Sequence, residues 1–313
     1  MQAISHAVGQ SLDRSLLVGP RSLTSSHTGW NRRLWIAWLV TPCTLILAVS
    51  VVYFLLPANI FMHNSYWYVQ KPLFLDINYE ASLLPDPLWW NLTQIGNALI
   101  IFPLLSFLIP LRPQAWAAMV GSVFVAASCS VIGKNLAAMP RPGAVLDITA
   151  FHPIGKLLTG HSSLPSGHSI TVFAGTIAVL ATVMPMPKGF RQWTYLTAIL
   201  VVAAILCLSR VAVGAHWPLD TVAGAGIGWI GGLSGAALAR RWQQWWLGAL
   251  KGKARIVLGS VLFMWAAYLL EMSVRDAASA PAPVFCLAAV IAFATSFWLL
   301  IPRVILYIPL LNK

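Results

Sequence analysis

The chain has 313 residues, of which 58% are hydrophobic and only 9% charged, with a mean hydropathy of +0.76. That composition excludes most soluble enzyme folds and predicts an all-α, polytopic membrane protein. The 20 Lys and Arg against 8 Asp and Glu would suggest nucleic-acid binding in a soluble protein. Here their positions assign them to membrane topology, so no nucleic-acid partner is expected.

In chain order, residues 1–33 are polar, carry Arg14, Arg21, Arg32 and Arg33, and are expected to form a cytoplasmic tail. The span that follows is too long for a removable signal peptide and lacks a small-residue cleavage site, so it is expected to stay as an anchor. Apolar runs of about 20 residues, enough to cross roughly 30 Å of hydrocarbon, fall at 34–56, 89–110, 114–133, 167–186, 193–210, 219–239, 256–272 and 283–301. The expected organisation is therefore about eight transmembrane helices: a six-helix core over 34–241 and a C-terminal extension over 242–313 with two further spans. Cys43, Cys129, Cys207 and Cys286 lie within apolar runs, without CxxC spacing or a suitable His neighbour. They read as buried small hydrophobes with no disulfide or metal role.

With the N-terminus in the cytoplasm, that face collects Arg14, Arg21, Arg32, Arg33, Arg112, Lys188, Arg191, Arg240, Arg241, Lys251, Lys253, Arg255, Arg303 and Lys313, which is 14 of the 20 basic residues. The outer face receives Lys71, Lys134, Arg141, Lys156, Arg210 and Arg275 and every acidic residue except Asp13. This asymmetry follows the positive-inside rule and favours an even number of spans. Two outer loops are long, 57–88 and 134–166. The first is rich in aromatics, including Trp67, Tyr68, Phe74, Tyr79, Trp89 and Trp90, and reads as cover lying at headgroup depth. In the sixth span Gly224, Gly228 and Gly232 form one row and Gly231 and Gly235 a second, so this helix is expected to meet its neighbours closely at the centre of the bundle.

Three elements carry chemistry, and all three map to the outer face. Lys134 opens a stretch that ends at Pro140-Arg141-Pro142, where two prolines stiffen the backbone around a guanidinium able to grip an anion. Pro165-Ser166-Gly167-His168 precedes the fourth span, so the Gly167 and His168 amides are expected at a helix N-terminus, a ready anion site. Ser166 can cap that helix or donate to the same anion. The third element runs from Ser209-Arg210 to His216 and Asp220, whose four-residue spacing lets them meet on one helical face. Taken singly, each has a plainer reading: a cation at a span end snorkels, a boundary His is interfacial, and an SR/HxxxD pair ties two helices together. Together they supply three cations, a helix N-terminus, two imidazoles and a carboxylate, which is a phosphate site. No carboxylate cluster accompanies them, so no metal and no cofactor is expected. His216, oriented by Asp220, suits attack on phosphorus, and His168 suits protonation of the leaving oxygen and activation of water.

These residues resemble the type-2 phosphatidic acid phosphatase superfamily, whose signature KxxxxxxRP, PSGH and SRxxxxxHxxxD is met in order at Lys134–Pro142, Pro165–His168 and Ser209–Asp220. The resemblance covers roughly residues 89–240. It implies a metal-independent membrane phosphatase with a six-helix core, phosphate binding by Lys134, Arg141, Ser166, Gly167 and Arg210, acid/base catalysis by His168, a His216 nucleophile and Asp220 to orient it. The superfamily also holds vanadium-dependent haloperoxidases, which resemble soluble bundles, and eight spans point to the membrane branch. A site at headgroup depth implies a membrane lipid phosphate as substrate. Phosphatidic acid, phosphatidylglycerol phosphate, undecaprenyl diphosphate and the phosphates of lipid A fit equally. His152, Lys156 and His161 of loop 143–164 are candidates to touch a headgroup, while Asn91, Gln94 and Asn97 either line the cavity or bond neighbouring helices. The pattern suits a bacterial inner membrane with a periplasmic site, and the oligomeric state is left open. A lipid-to-lipid phosphotransferase and a non-catalytic lipid-binding protein or transporter are the competing readings.

Overall fold

The computed structural model describes residues 32–55, 65–184, 187, 189–276 and 282–301, all helical or connecting segments. The N-terminal tail with Arg14 and Arg21, and the basic residues Lys188, Arg303 and Lys313, lie outside the described residues. Helix α1 spans Arg32–Leu55 and α2 spans Ser65–Ser82. Three short helices follow: α3 (Asp86–Ile95), α4 (Ala98–Leu104) and α5 (Leu108–Leu111). Then come α6 (Pro113–Ala137), the single turn α7 (Pro142–Val145) and α8 (Gly167–Val183). The chain continues with α9 (Phe190–Ala212), α10 (Pro218–Arg241), α11 (Gln243–Ala249), α12 (Gly252–Asp276) and α13 (Pro283–Leu300).

Among the described residues five helices are long and apolar enough to cross a membrane, and two shorter apolar helices, Trp38–Phe54 and Gly167–Val183, accompany them. The expected second span, 89–110, is not one helix but the broken run α3–α5. Averaged over its length the run is apolar, but Asn97 leaves the helical region and its side chain accepts from the Leu99 N–H, starting a new helix. Pro103 sits inside that helix and removes a backbone donor. The break also has a packing reason: a Cβ at Gly96 would lie 3.1 Å from the His168 Cβ and 3.3 Å from its Cδ2.

Helix α10 is the axle of the bundle, as its glycines predict. The Gly224, Gly228 and Gly232 row faces α8, where a Cβ would fall 2.6 Å from the Ser166 carbonyl oxygen at the top and 2.7 Å from that of Ala174 further down. Gly231 and Gly235 face α6 across Ala126, Ala118 and Ser122. Buried Ala118, Met119, Phe173, Ile177, Leu233 and Ala236 fill the space between these three helices. Backbone contact at this range maximises dispersion where lipid tails supply no hydrophobic drive. The outer surface is apolar in the opposite sense: Phe124 of α6 and Met264 of α12 are 71% and 72% exposed, as lipid-facing side chains must be.

The cysteines correct one expectation. Cys207 is buried, but Cys43 and Cys286 are exposed and Cys129 is intermediate. A lipid-facing surface selects apolar residues as strongly as a core does, so hydropathy alone does not separate the two.

The last two helices pair with each other and brace the broken run. Ala266, Leu269, Phe285 and Ala288 pack around Ile100 of α4. The Trp265 indole N–H donates to the Leu99 carbonyl at 2.9 Å, the Val284 N–H to Asn91 Oδ1 at 3.3 Å, and the Ser106 hydroxyl to Thr295 Oγ1 at 3.2 Å. Two of these bonds land where α3–α5 departs from regular helix, at Leu99, whose carbonyl faces Pro103 four residues on, and at Ser106 between α4 and α5, so the extension supplies partners that a broken span lacks.

Candidate active site

The three sequence elements meet at one end of α6, α8, α9 and α10. Helix α8 begins at Gly167, with Ser166 as N-cap accepting from the Ser169 N–H. The Ser169 hydroxyl also donates to Ser166 Oγ, at 3.1 Å. Ser166 is thus the cap, with its own proton still able to point elsewhere. Its backbone N–H donates to the Asp220 carbonyl at 3.0 Å, locking the start of α8 to α10. Lys134, near the C-terminus of α6, reaches across to this helix end: a Cβ at Gly167 would lie 3.5 Å from the Lys134 Nζ. An ammonium and a helix N-terminus therefore face the same space.

Arg141 occupies a fixed loop, as the flanking prolines predict. Its backbone N–H donates to the Gly160 carbonyl, and the Trp217 indole N–H donates to the Pro140 carbonyl at 2.8 Å. Its guanidinium donates from Nη1 to the Ala215 carbonyl at 2.9 Å and from Nη2 to the Ser162 carbonyl at 3.3 Å. Arg210, near the C-terminus of α9, is only 7% exposed. Its Nη1 donates to Thr93 Oγ1 at 2.6 Å, and its Nε, also buried, has no acceptor. The turn that carries the chain from Arg210 to His216 depends on Gly214, at φ +75°, where a Cβ would fall 2.6 Å from the Phe151 ring.

His216 lies just before α10 rather than within it, and is 2% exposed. Its Nε2 is 3.2 Å from Arg141 Nη1. A guanidinium only donates, so Nε2 accepts and the imidazole proton is on Nδ1. Nδ1 faces Asp220 Oδ2 at 3.5 Å, too long for a strong bond, and Ser163 Oγ at 3.4 Å. The Ser163 hydroxyl in turn donates to Asp220 Oδ2 at 2.5 Å. Asp220 also accepts the Trp217 N–H at 2.9 Å and the Tyr66 hydroxyl at 3.2 Å. The expected His216–Asp220 pairing is therefore present but relayed through a serine, with the carboxylate held by three donors. Burial first, then the charges of Arg210, Arg141 and Lys134, push the His216 pKa well below the ordinary imidazole range. Burial first, then Asp220, raises that of Tyr66, which remains a phenol and a donor.

Two contributors were not singled out from sequence. Ser163 is one of several small polar residues in an irregular loop, and nothing in its spacing marks it. Tyr66 carried a legible signal, because Tyr66, Gln70, Phe74 and Asn78 recur every four residues and form the buried stripe of α2. The stretch expected to be interfacial cover is thus a helix locked onto the site: Gln70 Oε1 accepts the Leu219 N–H at 2.7 Å, and Asn78 Nδ2 donates to the Ala212 carbonyl at 2.8 Å. Phe74 meets the buried Trp217 ring at 5.1 Å.

Two cavities flank His168. One, of about 300 Å³, runs between α4, α6 and α8 past Ile101, Phe102, Met119, Val123 and Ile170 and ends at Gly167 and His168. The other, of about 230 Å³, is lined by Gln94, Asn97, Lys156, His168 and Arg210. Gln94 and Asn97 therefore line a cavity wall, whereas Asn91 bonds α13. Of the loop candidates, Lys156 reaches the cavity, while His152 pairs with Asp86 at 2.9 Å and His161 lies outside both linings. Among the described residues no group of three His, Cys, Asp or Glu side chains gathers.

Comparison with known proteins agrees with this arrangement. The PAP2 superfamily model matches residues 115–246, which include all three motif elements. The chain is 30% identical over 165 residues to an undecaprenyl-diphosphatase of Sulfolobus acidocaldarius, covering 52% of this chain and 75% of that protein. The chain belongs to the PAP2 superfamily. Over 98 residues it is 38% identical to a lipid A 1-phosphatase of Rhizobium johnstonii, covering 29% of this chain and 36% of that one. Among solved structures it is similar to LpxE of Aquifex aeolicus, with 24% identity, a TM-score of 0.43 and coverage of 55% of this chain and 94% of that one. This PAP2 protein is an integral-membrane enzyme of the lipid-phosphatase kind.

Proposed function

We propose that the protein is a metal-independent phosphatase that removes the terminal phosphate of a membrane lipid monophosphate or diphosphate through a phosphohistidine. The observation that carries this reading is the His216 imidazole. Its Nε2 lone pair faces Arg141, its Nδ1–H is backed by Ser163 and Asp220, and it is buried beside two further cations. Simple phosphate binding requires no such nucleophile.

In the proposed cycle Arg141 turns from Nε2 to a phosphate oxygen, and Lys134, Arg210 and the Gly167 and His168 amides take the others, with Ser166 donating its free proton. The Nε2 lone pair attacks phosphorus as the lipid–oxygen bond to phosphorus breaks. Asp220, through Ser163, stabilises the imidazolium that forms, and His168 gives its proton to the leaving oxygen. The phosphate dianion beside His168 favours that protonated form. His168 then takes a proton from water, which attacks the phosphohistidine and releases phosphate with His216 restored. Each proton-transfer role of this kind is worth roughly 10²- to 10⁴-fold, and the fixed cations stabilise charge on the equatorial oxygens.

A lipid substrate is supported by the apolar groove that ends at His168, where a lipid chain can remain while its phosphate is attacked. The positive-inside distribution supports a site on the outer, periplasmic face of a bacterial inner membrane. Named relatives act on an undecaprenyl diphosphate or on lipid A, and both chemistries suit this cradle. The test is phosphate release by purified protein in detergent with EDTA, over lipid monophosphates and diphosphates. Release that survives EDTA and is lost in His216→Ala is expected. Phosphate appearing only on an added acceptor lipid would replace hydrolysis by phosphotransfer.

A further inference from the structure

The smaller cavity beside His168 has a chemical bias that the phosphate cradle does not require. It is walled by Trp90, Gln94 and Asn97 from α3 and the break after it, by Lys156 and its neighbours from the loop, and by Arg210. None of its lining residues is acidic. The acid nearest in sequence to this wall, Asp86, is committed to His152. Several of its donors are unspent. Among the described residues neither the Lys156 ammonium nor the Gln94 amide has a hydrogen-bond or ion-pair partner. A cavity lined by an ammonium, a guanidinium and an amide, with no carboxylate, is complementary to a ligand rich in acceptor oxygens.

Lys156 is held in this position by its loop. Gly155, at φ +78°, lies so flat against the Trp90 indole that a Cβ would overlap the ring. The Ile154 N–H donates to the Val213 carbonyl at 3.3 Å, and Asn78 grips His152 twice, through its N–H at 2.7 Å and its carbonyl at 3.0 Å. The stretch before Lys156 is thus pinned both to the turn that carries His216 and to α2.

The reaction geometry says what the ligand is. The leaving oxygen is the one His168 protonates, so the leaving group starts where the polar cavity and the apolar groove both open. An alcohol leaving from a lipid monophosphate needs only the groove. A lipid phosphate leaving from a diphosphate needs both, one for its charged phosphate and one for its chain.

We infer that Lys156, with Gln94 and the Arg210 guanidinium, forms a subsite for a second phosphate, and that this subsite selects lipid diphosphates over monophosphates. The inference rests on the phosphatase reading above. Lys156 is a specificity residue in it, contacting the phosphate that leaves rather than the one that is attacked.

The experiment compares kcat/KM for phosphate release from a polyprenyl diphosphate and from the monophosphate of the same chain, using the full-length protein in detergent. Wild type is set beside Lys156→Ala, Lys156→Arg and Gln94→Ala. The diphosphate-to-monophosphate ratio is expected to fall at least tenfold in Lys156→Ala, less in Gln94→Ala, and to be largely restored in Lys156→Arg. Equal losses on both substrates, or an unchanged ratio, would overturn the subsite while leaving the phosphatase intact. No phosphate release by wild type from either substrate would overturn the phosphatase reading and the subsite together.

Discussion

Two halves of this membrane protein are built on opposite principles. Where α6, α8 and α10 meet, small residues bring backbones into contact, and the helices run unbroken from one end to the other. Across from them, α3–α5 is a span in three pieces held together by side-chain bonds from α12 and α13. The first half fixes Lys134, Ser166, Gly167 and Asp220 against one another. The second supplies Thr93 to Arg210, lays Gly96 against His168 and walls both cavities. Lys134, His168 and Asp220 are thus set on the rigid half, with His216 just before α10, and the surfaces suited to shaping a substrate come from the half that departs from regular helix.

The largest expected effect lies at the relay that ties a loop serine to Asp220 on the rigid side. Ser163→Ala removes a hydrogen bond to a buried carboxylate worth about 1.5–3 kcal/mol, so kcat is expected to fall roughly 10- to 100-fold with folding retained. An unchanged kcat would show that Asp220 orients His216 without the serine. Next is Gly228→Val, which sets a branched side chain against the Ile170 carbonyl and the Phe173 Cβ. Overpacking of this kind costs about 1–3 kcal/mol and should lower the thermal midpoint in detergent, whereas Asn91→Ala on the broken side should lower it less. The reverse ranking would mean that the brace, not the glycine contact, holds the bundle.

Smaller again is Tyr66→Phe. It takes from Asp220 a longer bond, 3.2 Å against 2.5 Å for Ser163, that does not lie on the relay to His216, and should slow phosphate release by no more than about tenfold, roughly 1.4 kcal/mol. A complete loss would make α2 part of the catalytic machinery rather than its cover. The mildest test is a pH profile. Because burial and three cations hold the His216 pKa down, its Nε2 lone pair persists as pH falls. The acid limb of kcat/KM, which reports the free enzyme, is expected below the ordinary imidazole value of about 6.5. A limb at or above that value would place another group in control.

Most of the rigid half could be read from sequence, because each of its features leaves a local mark. Glycine at four-residue spacing marks the contact faces of α10, proline on both sides of Arg141 marks a stiff loop, and Ser166-Gly167 marks a helix start. The membrane topology of the motifs then brings them to one face. The other half was less legible for physical reasons. Averaged over 89–110 the sequence stays apolar despite Asn91, Gln94 and Asn97, so a span-length window passes over a break that the capping chemistry of Asn97 reveals. Hydropathy also gives Cys43 and Cys286 the same reading as Cys207, although two face outward and one inward. Ser163 acts through a bond 57 residues distant in sequence, and no local pattern encodes such a partner.

The central claim is that His216 carries the phosphate between two half-reactions. It is tested most directly by mixing the protein with a lipid labelled with ³²P on its terminal phosphate, quenching rapidly in alkali and EDTA, and mapping the label. The account predicts alkali-stable, acid-labile label on the peptide containing His216, present in wild type and absent in His216→Ala. Free labelled phosphate released at full rate by His216→Ala would contradict it.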